Sequence, residues 1–197
     1  MQLKVTNLSS IEKQPVSTRQ FSFVGGSNGS WNVLRMDAVQ GQPLANVRAI
    51  DVVDGHPETL PDGALWLLKG ITSFERYVYH VEREELLSKQ PALKRPEASY
   101  AALIPVKKSS EWWQLPHDTR RVIFETRSGH IKTGLKYMPA VARRLHHGYD
   151  SEEEFDFLTW FEFAPEHSDA FDELVWTLRQ SEEWCYVERE VDIRLIR

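Results

Sequence analysis

The side chains in this sequence with the most chemical potential are His130, Arg143 and the pair Glu182-Glu183. His130 stands in a stretch with helical spacing, where residues three, four and seven positions apart overlie one another. Its face is then shared by Ile123, Thr126, Gly134 and Tyr137. Gly134, one turn beyond the imidazole, removes the side chain that would obstruct a flat ligand. A glycine inside a helix costs about 1 kcal/mol relative to alanine, so its place beside a histidine asks for a packing or binding reason. A partly exposed histidine on an ordinary helix accounts for the same residues.

Arg143 lies in the run from Val141 to His147, where a period of two puts it on one face with Val141 and Leu145. A cation in an apolar row is costly unless an anion or a hydrogen-bond acceptor meets it. That partner is either an anionic ligand or a structural carboxylate, and Arg144 points the other way. His146-His147 suggests a metal site but is poorly built for one, because neighbouring strand residues face opposite sides of a sheet. Glu182-Glu183 reads equally as a solvated helix end, and Trp112-Trp113 as core. Lys107 is a surface residue, whereas Lys108 ends a buried strand and is placed to reach an acidic group. The sequence contains no P-loop, dinucleotide glycine fingerprint, nucleophile elbow or paired-cysteine zinc motif.

These residues need elements to hold them. Strands are predicted over Gln20–Val24, Trp31–Met36, Val141–His147, Phe155–Phe163 and Val187–Leu195, a buried strand over Tyr100–Val106, and one long or two short strands over Ala64–Val81. Turn residues between 54 and 63 predict a loop. Helices are predicted over Glu82–Gln90, ending before Pro91, and Ser109–Leu115. Two more run from an Asp118 cap to about Tyr137 and from a Ser168 cap through Leu178. The acidic turn 150–154 makes an antiparallel hairpin of its two flanking strands. From Tyr100 onward the order is strand, helix, strand, strand, helix, strand, which is the ferredoxin-like arrangement of an α+β fold. Residues 17–99 read as a truncated half of the same kind, missing most of one helix, 100–197 as the complete half, and 1–16 as an N-terminal arm.

At 197 residues with 41% hydrophobic content, 7 Trp, 6 Tyr and 9 Phe, the chain can bury a core. Its 24 basic and 29 acidic residues give a net charge of −5 with no basic stripe, which disfavours nucleic acid. An anionic substrate must therefore be drawn in by a local positive site. Cys185 is the sole cysteine, so no intrachain disulfide or thiolate cluster forms, in keeping with a reducing compartment. With neither a leader-like N-terminus nor an 18-residue apolar run, the expected location is cytoplasmic, with no membrane partner.

Several of these segments together resemble the chlorite dismutase family, and in particular its short, dimeric bacterial branch. They are Ala101 to Ser109 with Trp112-Trp113, Arg127-Ser128-Gly129-His130, Arg143 to His147, Phe155 to Glu162, and Glu182-Glu183-Trp184 through Leu195. The likeness spans about residues 20–197. It implies a ferredoxin-like dimeric α/β barrel, a haem b cofactor (iron protoporphyrin IX), a homodimer, and conversion of chlorite to chloride and dioxygen by ferryl/hypochlorite rebound.

By that resemblance His130 is the proximal haem ligand and Glu183 the carboxylate that accepts from its other ring nitrogen, making the imidazole more electron-donating. Arg143 falls at the distal arginine position, where it attracts chlorite and then holds the hypochlorite fragment. Gln90 matches a distal residue that restrains this arginine. Tyr77 and Lys108 resemble propionate-side contacts, and Trp112 a proximal-side aromatic. Coproheme decarboxylases share the architecture but lack the arginine. The competing expectations are a peroxidase-like enzyme, for which no distal acid–base residue is evident, and a ferredoxin-like module that binds haem for handling or sensing.

Overall fold

In a computed structural model, residues 19–72 and 76–197 are described. The expected arm over 1–16 lies outside them. Eight strands close a barrel: β1 (Gln20–Gly26), β2 (Trp31–Gln40), β3 (Ala49–Asp54), β4 (Ala64–Thr72), β5 (Tyr100–Lys108), β6 (Val141–His147), β7 (Phe157–Phe163) and β8 (Val187–Ile196). Around the barrel they run β1-β3-β2-β8-β5-β7-β6-β4, and every paired neighbour is antiparallel.

The last four strands therefore stand in the order β8-β5-β7-β6, and the first four in the same order, β4-β1-β3-β2. This is the α+β ferredoxin-like architecture expected from the sequence. The truncation of the first half goes further than the loss of most of one helix: β1 reaches β2 through residues 27–30, and β3 reaches β4 through residues 55–63, neither of them helical. Strand β3 was not foreseen, and the strand expected over Ala64–Val81 stops at Thr72. Helix α1 (His80–Lys89) follows instead.

The helices of the second half are α2 (Ser110–Gln114), α3 (His117–Arg121), α4 (His130–Tyr137) and α5 (Ser168–Arg179). They pack on the outer face of β5–β7, and strand composition follows from that. β5, apolar from Ala101 to Val106, is buried on both faces. β2 interleaves polar residues and leaves Leu34 and Val39 exposed, because no helix of the described residues lies over it. Inside the barrel Phe23, Trp31, Ile50, Leu103, Trp160, Ile193 and their neighbours form the main core. A second cluster, with Ile104, Phe161, Phe171 and Leu174, sits between the outer sheet face and α4 and α5. A third, of Leu86, Ile131 and Met138, fastens α1 to α4.

The two quartets meet along seams of unequal length. β2 and β8 pair from Asn32↔Ile196 to Gln40↔Glu190. Among the described residues β4 and β6 meet at Ile71↔His147 and Thr72↔His146, where Thr72 Oγ1 lies 2.9 Å from His146 Nδ1. Along β8 three of the polar alternates are not solvated: Glu190, Asp192 and Arg194 are buried under α5 and tied to its Arg179 and Asp172.

Candidate functional site

The stretch between Pro116 and Tyr137 is not the single helix expected from Asp118. Helix α3 passes into a π-helical turn, Val122–Arg127, which ends at Ser128, and Gly129 adopts φ +61°. A left-handed residue of this kind is open to glycine at no steric cost. The chain then restarts as α4 with His130 as its first residue. The first free N–H groups of α4 are met by Glu125, whose carboxylate accepts from Ile131 N (2.6 Å) and Lys132 N (3.2 Å). Such capping fixes the helix start, and with it the imidazole. The break resets the helical phase, so Phe124 rather than Ile123 or Thr126 flanks His130, its ring stacked at 4.3 Å and 21°. The dipeptide Ser128-Gly129 was the available signal, since such pairs mark turns.

The Nδ1 atom of His130 lies 2.6 Å from Glu183 Oε2. Glu183, 4% exposed, also accepts from Lys108 Nζ on Oε1 at 2.8 Å, and its backbone N–H donates to Ser128 Oγ at 2.9 Å. Burial by itself would raise the pKa of this carboxyl; the Lys108 charge, then His130, outweigh it and hold it at about 2. Lys108, as buried as its partner, lies over the rings of Trp112 (4.9 Å) and Trp184 (5.2 Å). Its reach to an acidic group is thus observed, and the acid is the one that holds His130. In this bond to a carboxylate Nδ1 is the donor, so in the neutral imidazole the lone pair lies on Nε2.

His130 opens onto a cavity of about 1130 Å³, including its solvent mouth, between the outer face of β5–β7 and helices α1, α4 and α5. Arg143, Leu145 and His147 line it from β6, as the period of two required. Arg144 on the opposite face lies over Phe21 instead. The histidine pair is split in the same way: His147 faces the cavity and His146 packs against Phe21 and Phe23. His130 and Arg143 thus line one cavity from different elements. Gln90 reaches the same strand, where its Nε2 donates to the backbone carbonyl of Arg143 at 2.9 Å.

Tyr77 and Trp112 line the cavity too, with rings 5.9 Å apart edge to face. Tyr77 holds φ +64°, a conformation costly for a bulky residue and kept only where the surroundings over-determine it. Its hydroxyl and the Trp112 Nε1 are buried with no hydrogen-bond partner among the described residues. Opposite them a Cβ added at Gly134 would meet nothing within 4 Å. Much of the lining is apolar, with Val78, Leu86, Ile104, Val106, Ile131 and Phe157 among it. Phe124, Trp184 and His147 were not foreseen as lining; only the fold brings the first two there, whereas the period of two along β6 could have found the third.

The sequence profile of the family described as chlorite dismutase matches residues 65–196, two thirds of the chain. This chain belongs to the chlorite dismutase family. It is 47% identical to the dimeric chlorite dismutase of Nitrobacter winogradskyi, whose crystal structure it matches with a TM-score of 0.84 over 90% of this chain and 99% of that one. A mutant chlorite dismutase from Candidatus Nitrospira defluvii is 25% identical, with a TM-score of 0.56, covering 68% of this chain and 55% of that one. The chlorite dismutase of Ideonella dechloratans is 36% identical over 63 residues, which span 32% of this chain and 21% of that protein. The family match takes in every candidate site residue from Tyr77 to Glu183. Among the described residues no helix is long and apolar enough to cross a membrane.

Proposed function

We propose that this chain binds haem b in the cavity between β6 and α4 and decomposes chlorite to chloride and dioxygen. The observation that carries the reading is that a carboxylate-backed imidazole, His130, and an arginine, Arg143, line the same cavity from separate elements. The residues suit the cofactor. The lining is mostly apolar, as ligand sites usually are. Gly134 leaves room beside the imidazole, and Tyr77 and Trp112 bring polar atoms to an otherwise apolar wall. His130 Nε2 would hold the iron, and Tyr77, Trp112 and Lys108 would contact the porphyrin's edge and proximal side.

When bound, haem supplies an iron centre able to take an oxygen atom from chlorite and return it. The protein's own part is electrostatic and positional. Glu183 accepts the His130 Nδ1 proton, fixes the tautomer and strengthens the imidazole as a donor. Lys108 balances the buried carboxylate, which keeps it ionised without drawing the proton off Nδ1. Arg143 brings positive charge to the cavity of a chain whose net charge is −5. It would orient chlorite and hold the chlorine-containing fragment in the cavity. Gln90 steadies Arg143 through the strand backbone. Chlorite and the products balance without added protons or electrons, so no distal acid–base pair is required.

The active unit on this reading is a homodimer, as the relative from Nitrobacter winogradskyi is described, and each chain comprises the half-barrels 17–99 and 100–197. The single, free Cys185 suits a cytoplasmic setting. The test is to reconstitute the protein with haem and follow chlorite-driven dioxygen in an oxygen electrode. The reading expects vigorous release. A normal Soret band with negligible oxygen would leave a haem-handling or sensing protein.

A further inference from the structure

Behind the cavity wall lies a pair of stacked rings for which the proposed chlorite reaction has no use. In α2, Trp112 lines the cavity and the next residue, Trp113, sits one layer back. The Trp113 indole is nearly parallel to the ring of Phe157, a cavity-lining residue 6.1 Å away. Arg120 stands between Trp113 and Tyr77, 5.3 Å and 5.5 Å from their rings. On the outer side Trp113 stacks on Tyr149 with centroids 3.5 Å apart and planes at 15°. Tyr149 is 40% exposed. The indole N–H donates to the buried carboxylate of Asp156 at 3.2 Å. Burial pushes the Asp156 pKa up, against the bonds from the Lys108 N–H and Trp113.

These contacts make an ordered series: cavity wall, an indole with a base on its N–H, then a phenol that reaches water. We propose that the Trp113–Tyr149 stack is a surface oxidation site, at which phenols too large for the cavity deliver electrons when a peroxide or peracid is the oxidant. The proposal rests on haem occupying the cavity. Trp113 passes one electron toward the cavity and its indole proton to Asp156. Tyr149 refills the indole with an electron, Asp156 returns the proton, and the Tyr149 hydroxyl proton goes to water. An external phenol then restores Tyr149 by giving up one electron and one proton. Two phenols reduce one peracid to a carboxylic acid and water, breaking its O–O bond and leaving two phenoxyl radicals. Chlorite decomposition draws no external electrons, so the stack stands idle in it.

The test treats the haem-loaded full chain with peracetic acid and a nitroso spin trap, and locates adducts by peptide mass spectrometry. The proposal expects an adduct on Tyr149. In Tyr149→Phe it should vanish, oxidation of a bulky phenol should fall about tenfold, and chlorite-driven oxygen release should be unchanged. In Trp113→Phe with its Soret band intact, the Tyr149 adduct should also be lost. A full Tyr149 adduct in Trp113→Phe, or phenol oxidation in Tyr149→Phe equal to that of the parent, overturns the proposal and leaves the chlorite reading standing. A parent protein with no Soret band after haem addition overturns both.

Discussion

Nδ1 of His130 and Oε2 of Glu183 lie 2.6 Å apart, joining the helix that restarts after Gly129 to the turn that leads into β8. The bond is held from both sides. Glu125 caps the helix that carries the imidazole, and Lys108 and Ser128 anchor the carboxylate residue. A ligand built in this way is preorganised, because neither partner needs to move to meet the other.

Replacing one member of the buried pair should cost more than replacing both. Glu183→Gln leaves Lys108 without a counter-charge at 4% exposure, and removing one partner from such a pair is destabilising by about 3 kcal/mol or more. Adding Lys108→Met to Glu183→Gln should recover part of that loss, as expected for coupled neighbours. Urea unfolding of the two singles and the double checks this; strictly additive losses would mean that the pair is not coupled.

Gly134→Ala should move stability and cofactor affinity in opposite directions. The new methyl meets no neighbour, and alanine is favoured over glycine in a helix by about 1 kcal/mol, so the haem-free protein should melt higher. Haem should bind more weakly, since the methyl takes space beside His130. A haem titration followed at the Soret band, set beside the melting curve of the free protein, reads both.

His146 makes the fold acid-sensitive. Burial, then the positive charge of Arg144 and of His147, lowers its pKa from 6.5 to about 3. The unfolded chain therefore binds a proton that the folded one refuses between pH 6.5 and 3. Stability is full above about pH 6.5 and declines as pH falls through that window, by about 2 kcal/mol at pH 5 for a pKa difference of this kind. His146→Leu should unfold with a flatter dependence over the same range. An unchanged slope in denaturant titrations at pH 7 and pH 5 would assign the acid sensitivity elsewhere.

Arg143→Ala should bind haem normally yet lose chlorite decomposition by about a hundredfold or more, the scale on which a preorganised electrostatic group acts. Arg143→Lys should fall between the two, because an ammonium keeps the charge but not the two-pronged geometry. Oxygen release and the Soret band measured on the same samples separate chemistry from binding.

Much of this site was legible before the fold was known, for reasons that lie in particular residues. A period of two put Arg143 and His147 on one face of β6, and a period of 3.6 put Gly134 over His130. Both are local rules and both hold. Tertiary context decided the rest. Ser128-Gly129 breaks what periodicity reads as one helix, because Gly129 takes a left-handed conformation that no hydrophobic pattern records. Strand β3 has only six residues, and its isolated signal is weak until β1 and β2 pair with it. The Gln90 contact to the Arg143 carbonyl, and the stacking of Phe124 on His130, depend on the placement of α1 and the π-helical turn.

The central claim concerns the position of one metal atom, and an anomalous diffraction map at the iron edge from haem-reconstituted crystals tests it most directly. The account predicts a single iron peak beside His130 Nε2, with the Arg143 side chain across the macrocycle from the imidazole. An iron peak away from His130, or Arg143 turned into a different cavity, would contradict it.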